Sequence, residues 1–506
     1  MTNDREHHRN TTSRIWVMVT VMLAMMLAAL DMTIVGTAMP SIINDLHGLA
    51  TYSWVFSAYL LTSTVPVPIF SKLADMYGRK RLFLIGAGIF TIGSLLCGTA
   101  INMPQLIAYR AIQGLGAAGV LPIALTIIGD VFTLEQRARI QGFFSAVWGI
   151  SAVIGPLLGA IIVEYTNWRL VFYLNVPIGI LVMIVLALSF KERLNVTKHR
   201  LDWQGTILLS SGVTLLLLAL VQDSNHLLSP SAIALFTLTL ILLVTFAWWE
   251  RRAAEPVLPG ILFQQRMLLV ANGVNLFAGA VMFGLISYLP LFVQGVEGGS
   301  PTLAGRAITP MLIGWPLAAL VAGPLLLRVG FRIIGIAGGI LIAVGSAVLA
   351  AALNSGQVTV DSALFLIGVG MGLSLTGLLI AAQNAVPWNV RGAVTGSSQF
   401  FRTIGGSIGV ALMGAILNAQ LTTRAISTHA TTNPSLITES LLSANVRTVL
   451  PSPVLTAYVN VLDGSLHDVF IAGFIFSLAV AALVLIIPSQ RTASSSQSQS
   501  VSQVSS

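Results

Sequence analysis

Asp31 is the residue in this chain with the clearest chemical potential. It lies inside the apolar run 15–39, and it is the one Asp or Glu that the sequence places deep in such a run. A carboxylate surrounded by hydrocarbon is expensive, so it must be paired, protonated or functional. Counting from Ile15, helix rise carries Asp31 roughly 24 Å along its helix, into the half nearer the far boundary. Arg110 sits in a second apolar run, 104–127, that returns in the opposite direction, roughly 9 Å below that same boundary. The two therefore reach similar depth. Gln113, one turn on from Arg110, shares its helix face. Desolvation favours the neutral acid at Asp31, while a neighbouring guanidinium favours the carboxylate, so its protonation can follow its surroundings. A structural ion pair, or an arginine snorkelling to the headgroups, is the plainer alternative.

Other matches carry less. Gly405-Gly406-Ser407-Ile408-Gly409 fits a G-x-S-x-G nucleophile pattern, but inside an apolar run, while all seven histidines fall in termini, loops or at a run's end. A helix face of small residues explains it better, which leaves an intramembrane serine hydrolase as a remote alternative. There is no Walker A sequence, no H-E-x-x-H and no Cys/His metal cluster. The single cysteine, Cys97, excludes an intrachain disulfide. Trp54, Trp148, Asn275, Gln383 and Arg402 are candidates for lining a substrate cavity, with packing or interface roles equally open to them. Arg306 reads as a headgroup-snorkelling arginine.

These residues need a membrane scaffold to position them. The chain is 55% apolar and 9% charged, far from a soluble composition. Runs of membrane-crossing length recur at about 15–39, 51–71, 82–100, 104–127, 141–163, 170–190, 203–222, 230–249, 267–290, 302–327, 333–352, 361–384, 394–419 and 467–488. The expected fold is an all-α membrane protein of fourteen transmembrane helices. The net charge of +8 is not a nucleic-acid footprint, because most of the 26 Lys and Arg fall on one side of these runs. An even number of spans and that bias place both termini in the cytoplasm. The expected organisation is a cytoplasmic tail (1–14), a six-helix bundle (15–190), a linker with two additional helices (191–266), a second six-helix bundle (267–488) and a disordered tail (489–506). An outer loop, 420–466, is the longest; Ser435–Leu450 and Val454–Leu462 within it are candidate amphipathic helices. The segment Gly323–Arg332 weakly echoes Ser71–Arg81, which points to parallel halves related by a pseudo-two-fold axis.

Four motifs carry a family resemblance. Ser71–Arg81, SKLADMYGRKR, resembles the loop between helices 2 and 3 of the major facilitator superfamily of secondary transporters, with Ser71 where the family has glycine. Leu30–Pro40, LDMTIVGTAMP, resembles the first-helix motif of its fourteen-span drug:proton antiporters. Arg110, Gln113, Gly114 and Gly116 resemble the fourth-helix motif. Gly149, Gly155, Pro156 and Gly159 resemble the fifth-helix antiporter motif, with Ala160 where a further glycine is usual. Arg402 matches an arginine common in fourteen-span relatives.

The resemblance implies that Asp31 couples to protons under the influence of Arg110 and Gln113, and that Asp75, Gly78, Arg79 and Asp130 latch the cytoplasmic gate. It implies that the fifth-helix glycines pack closely, as in exporters. The expected protein works in the cytoplasmic membrane as a monomer, exchanging a small-molecule substrate for protons and needing no cofactor beyond the proton motive force. Export of a neutral or anionic metabolite, lipid or siderophore is the alternative within transporters, and a non-transporting receptor lies outside them.

Overall fold

The computed structural model describes residues 2–131, 147, 150–151, 154–190, 192, 202–222, 230–253, 256–258, 260–353, 355–386, 391–428 and 434–488. Every element in these residues is helical. In lipid a backbone N–H or C=O finds no water, and a helix satisfies these groups within its own segment. In order the helices are α1 (Thr2–Leu46), α2 (Tyr52–Thr64), α3 (Val67–Tyr77), α4 (Arg79–Thr99), α5 (Met103–Val131), α6 (Ile154–Tyr165), α7 (Arg169–Tyr173), α8 (Asn175–Ser189), α9 (Trp203–Gln222) and α10 (Pro230–Glu250). They continue as α11 (Ile261–Gln264), α12 (Arg266–Gly295), α13 (Pro301–Val329), α14 (Phe331–Ala351), α15 (Gln357–Asn384), α16 (Arg391–Ser427), α17 (Pro434–Leu442), α18 (Ala444–Val449) and α19 (Ser452–Leu485). Twelve helical segments among the described residues are long and apolar enough to cross a membrane. The chain is thus a multi-pass membrane protein. The segments α2 and α3, separated at Val65-Pro66, and the short apolar α6 stand outside those twelve.

Two turns show how the two parts of the chain echo each other. Gly78 ends α3 and starts α4 with φ 101°, its N–H donating to Ala74. Gly330 ends α13 and starts α14 with φ 83°, its N–H donating to Leu326. A positive φ is open to glycine without the Cβ penalty paid by other residues, which is why each helix pair can reverse in a single residue. The echo between Ser71–Arg81 and Gly323–Arg332 is therefore also an echo of backbone geometry.

The long loop read at 420–466 is mostly helix. α16 continues to Ser427 and α19 begins at Ser452, so Val454–Leu462 is the first part of α19 rather than a separate amphipathic helix. Hydropathy marks where apolar residues stop, but a helix continues as far as its local hydrogen bonds are undisturbed. Ser435–Leu450 splits into α17 and α18. These two helices cap one end of the molecule. Arg447 there donates to the carbonyls of Gly295 (2.7 Å) and Val296 (3.1 Å) at the end of α12. α1 is likewise helical from Thr2, through most of the stretch read as a cytoplasmic tail.

The first and later parts of the chain meet toward this capped end. Gly36 of α1 lies so close to α12 that an added Cβ would stand 2.8 Å from the Ile286 carbonyl. Tyr52 donates to the Ser287 carbonyl. Pro156 of α6 meets Gly305 of α13, and Thr302 donates to Glu164. His47 pairs with Glu439 of α17 at 3.6 Å. The helices α9 and α10 pack on each other, and α9 also lies against α2 and α16.

Candidate functional site

Asp31 and Arg110 are in direct contact. Arg110 Nη1 lies 2.6 Å from Asp31 Oδ2, with the two residues 1% and 0% exposed. The other carboxylate oxygen accepts from Gln113 Nε2 at 2.8 Å and from Asn175 Nδ2 at 2.9 Å. Both carboxyl oxygens are thus engaged, as a buried polar group requires. Gln113 also accepts from Arg110 Nη1 at 2.6 Å and donates to Ser94 at 2.8 Å. Arg110 Nε donates to the Val55 carbonyl at 3.3 Å, and its guanidinium carbon stands 4.0 Å from the centre of the Tyr59 ring. A guanidinium shielded by an aromatic face on one side and a carboxylate on another keeps its charge without water.

Five helices build this site: Asp31 comes from α1, Val55 and Tyr59 from α2, Ser94 from α4, Arg110 and Gln113 from α5, and Asn175 from α8. Glycines bring the helices near enough. A Cβ on Gly93 would stand 2.6 Å from the Gln113 backbone, and one on Gly114 would stand 2.5 Å from the Tyr59 carbonyl. The depth arithmetic on α1 and α5 thus put the correct pair together. Sequence reasoning missed Asn175. The signal was there, since an amide within an apolar run also needs buried partners, but a neutral residue does not stand out as a charged one does.

The fifth-helix residues pack on the helix that carries the carboxylate. Gly155 faces Thr33, and a Cβ on Gly159 would stand 2.7 Å from the Ile34 carbonyl. Trp148 and Gly149 lie outside the described residues. At the loop 71–81, Gly78 makes the turn, and the N–H groups of Arg79 and Lys80 donate to Glu192 at 2.6 and 3.1 Å. A carboxylate over the first turn of α4 is favourably placed against the helix dipole. Glu192 had no role in the sequence reading. The side chains of Asp75 and Asp130 fall outside the described ones.

The cavity candidates separate. Asn275 is buried and donates to Ala271 of its own helix at 2.8 Å, so it is engaged in packing rather than facing open space. Trp54 packs against the core. Gln383 donates to Thr395 at 2.8 Å, tying α15 to α16. Arg402 is partly accessible, donates to Gln399 and lies 5.4 Å from the centre of the Trp315 ring. Arg306 is exposed on the first turns of α13. Ser407 is fully buried, its hydroxyl donating to the Ser57 carbonyl at 3.2 Å.

Residues 21–410 match the family model for the Major Facilitator Superfamily, and the chain belongs to that family. It is 38% identical to the multidrug transporter protein MdtP of Bacillus subtilis, over 92% of this chain and 91% of that protein. It is 33% identical to multidrug resistance protein 3 of the same organism, over 94% and 95%. Its fold is similar to that of a bacterial homologue of the human lysosomal transporter Spinster, with a TM-score of 0.70 at 17% identity, over 94% and 96% of the chains. Membership makes the chain a transporter and not an enzyme, which removes the hydrolase alternative at Ser407.

Proposed function

We propose that this protein exports drugs or other lipophilic compounds across the cytoplasmic membrane in exchange for protons, by alternating access. The names of its relatives, a multidrug transporter and a multidrug resistance protein, support the substrate class. Adding α2–α3 and α6 to the twelve long apolar helices gives fourteen spans, as in drug:proton antiporters. On this reading α1–α8 and α12–α19 are the two six-helix bundles and α9–α10 the insertion. Both termini and the Gly78 and Gly330 turns face the cytoplasm, where basic residues belong. The inter-bundle contacts toward the capped end then close the outer side.

The observation that carries the reading is the sealed carboxylate of Asp31, held by Arg110, Gln113 and Asn175. Protonation removes the negative charge that offsets Arg110, and a buried unpaired guanidinium is costly. The bundle therefore has a reason to rearrange when the proton arrives and to return when it leaves. The proton motive force drives the cycle without a cofactor, and one chain carries the whole site, so a monomer suffices.

The test is transport by the purified protein in proteoliposomes under an imposed pH gradient. Asp31→Asn keeps an amide of the same shape among the same partners, and we expect it to abolish gradient-driven export while the protein stays folded. Wild-type export by that variant would overturn the proton assignment.

A further inference from the structure

Arg402 differs from the other arginines whose ionic contacts define this structure. Arg110 pairs with Asp31 at 2.6 Å, Arg169 with Asp45 at 2.7 Å and Arg424 with Asp468 at 2.7 Å. Among the described residues, no carboxylate pairs with Arg402. It lies far from either end of α16, about 16 Å from Arg391 by helix rise. Its guanidinium lies between α16 and the Trp315 ring of α13, yet it keeps accessible surface. Together these place it on the wall of an interhelical space rather than at the lipid boundary. An arginine in the middle of a membrane without a counter-charge marks a pathway or a ligand site.

The side chain is also held in position. Gln399 accepts a hydrogen bond from it and is itself bonded to Thr403 at 3.4 Å. The Trp315 ring of α13 covers the guanidinium at 5.4 Å. Beneath it, Gly279 of α12 comes directly against the Arg402 carbonyl, and a Cβ on Gly409 would stand 2.5 Å from Ala280, so the α16 backbone is fixed at this level. A guanidinium has five N–H donors, and the amide of Gln399 uses part of that fork. Five residues along α16, roughly 7–8 Å away, Ser407 meets Ser57 at the inter-bundle seam.

We propose that Arg402 and Trp315 recognise a carboxylate borne on a planar aromatic body, so that the exported compounds include amphiphilic acids and zwitterions rather than lipophilic cations alone. The substrate's anion supplies the counter-charge that the described residues do not, and its ring plane stacks beside the indole. This rests on the exporter reading for the transport of what is bound, but binding itself can be measured without transport.

The experiment uses the full chain in lipid nanodiscs and two probes with one xanthene body, a rhodamine free acid and its methyl ester, with binding followed by fluorescence anisotropy at neutral pH. Wild type should bind the acid more tightly than the ester. Arg402→Gln should weaken the acid by at least about tenfold, the scale of one hydrogen-bonded charge, and leave the ester within about twofold. Arg402→Lys should fall between, since it keeps the charge but not the fork. A second measurement needs no variant: wild-type affinity for the acid should fall as the dye's own carboxyl protonates, with the ester as control. Equal affinities in wild type, weakening of both probes alike, or no binding of either dye would overturn the proposal. Gradient-driven export of the ester with no preference for the acid would sink this inference and leave the exporter reading. An Arg402-dependent preference without any response to a pH gradient would do the reverse.

Discussion

Ser57 and Ser407 each donate a hydroxyl to the other's backbone carbonyl, at 3.1 and 3.2 Å, across the boundary between α2 and α16. Both residues are buried, so these reciprocal bonds replace water that neither helix has at this depth. They belong to the same seam as the Tyr52–Ser287 hydrogen bond. If the halves separate there during transport, all of these bonds must break together.

Joining the two positions should therefore stop the cycle. With Ser57→Cys and Ser407→Cys in one chain, a short thiol–thiol crosslinker is expected to abolish export, and a cleavable version should restore it on reduction. Cys97 is buried and gives little background. Full export by the crosslinked protein would mean that this seam never opens.

Gly159 is expected to tolerate no side chain. A Cβ there would meet the Ile34 carbonyl at 2.7 Å and the Thr37 hydroxyl at 2.5 Å, and backbone cannot yield as a flexible side chain can. Gly159→Ala should cost about 1–3 kcal/mol, typical of overpacking, and shift α1 with its Asp31. A lower Tm in detergent together with reduced export is the expected result. An unchanged Tm would show that α6 slides freely on α1.

Much of the site was legible in the sequence because helix rise is constant. Once α1 and α5 were recognised as antiparallel crossings, counting residues brought Asp31 and Arg110 to one level, and the structure shows them at 2.6 Å. Asn175 was not found this way, because neutral amides carry no charge pattern from which to infer a partner. Glu192 escaped for another reason: in a basic cytoplasmic stretch, an acid looks like ordinary surface until the chain folds it over the first turn of α4. Helix ends such as Ser427 and Ser452 were misplaced because hydropathy reports the lipid boundary, whereas hydrogen bonding decides the helix boundary.

Asn175 gives a graded test of the proton site. Asn175→Ala removes a donor that the carboxylate holds more strongly than the neutral acid does, so it should favour protonation. A hydrogen bond to a charged group is stronger than one to a neutral group, so the pH optimum of export should move upward. Export measured across pH in proteoliposomes checks this. An unmoved optimum would leave Asn175 as a packing residue.

Arg110→Gln should act in the same direction and more strongly. Arg110 supplies the only full positive charge bonded to Asp31 among the described residues, and at 1% exposure little water screens it. Removing that charge leaves the carboxylate with amide donors alone, so the protonated form gains. The carboxyl would then keep its proton at a pH where the wild type releases it, slowing the return step and moving the optimum of export upward. Arg110→Lys should recover part of the wild-type behaviour, because it restores the charge without reproducing the Nε bond to Val55 or the stacking on Tyr59. The double variant Arg110→Gln, Asn175→Ala should shift by less than the sum of the two, since both act on one titrating group. Infrared difference spectroscopy of the carboxyl band, assigned with Asp31→Asn, reads the equilibrium directly. A band that titrates identically in wild type and Arg110→Gln would show that the short contact holds helices together without governing the proton.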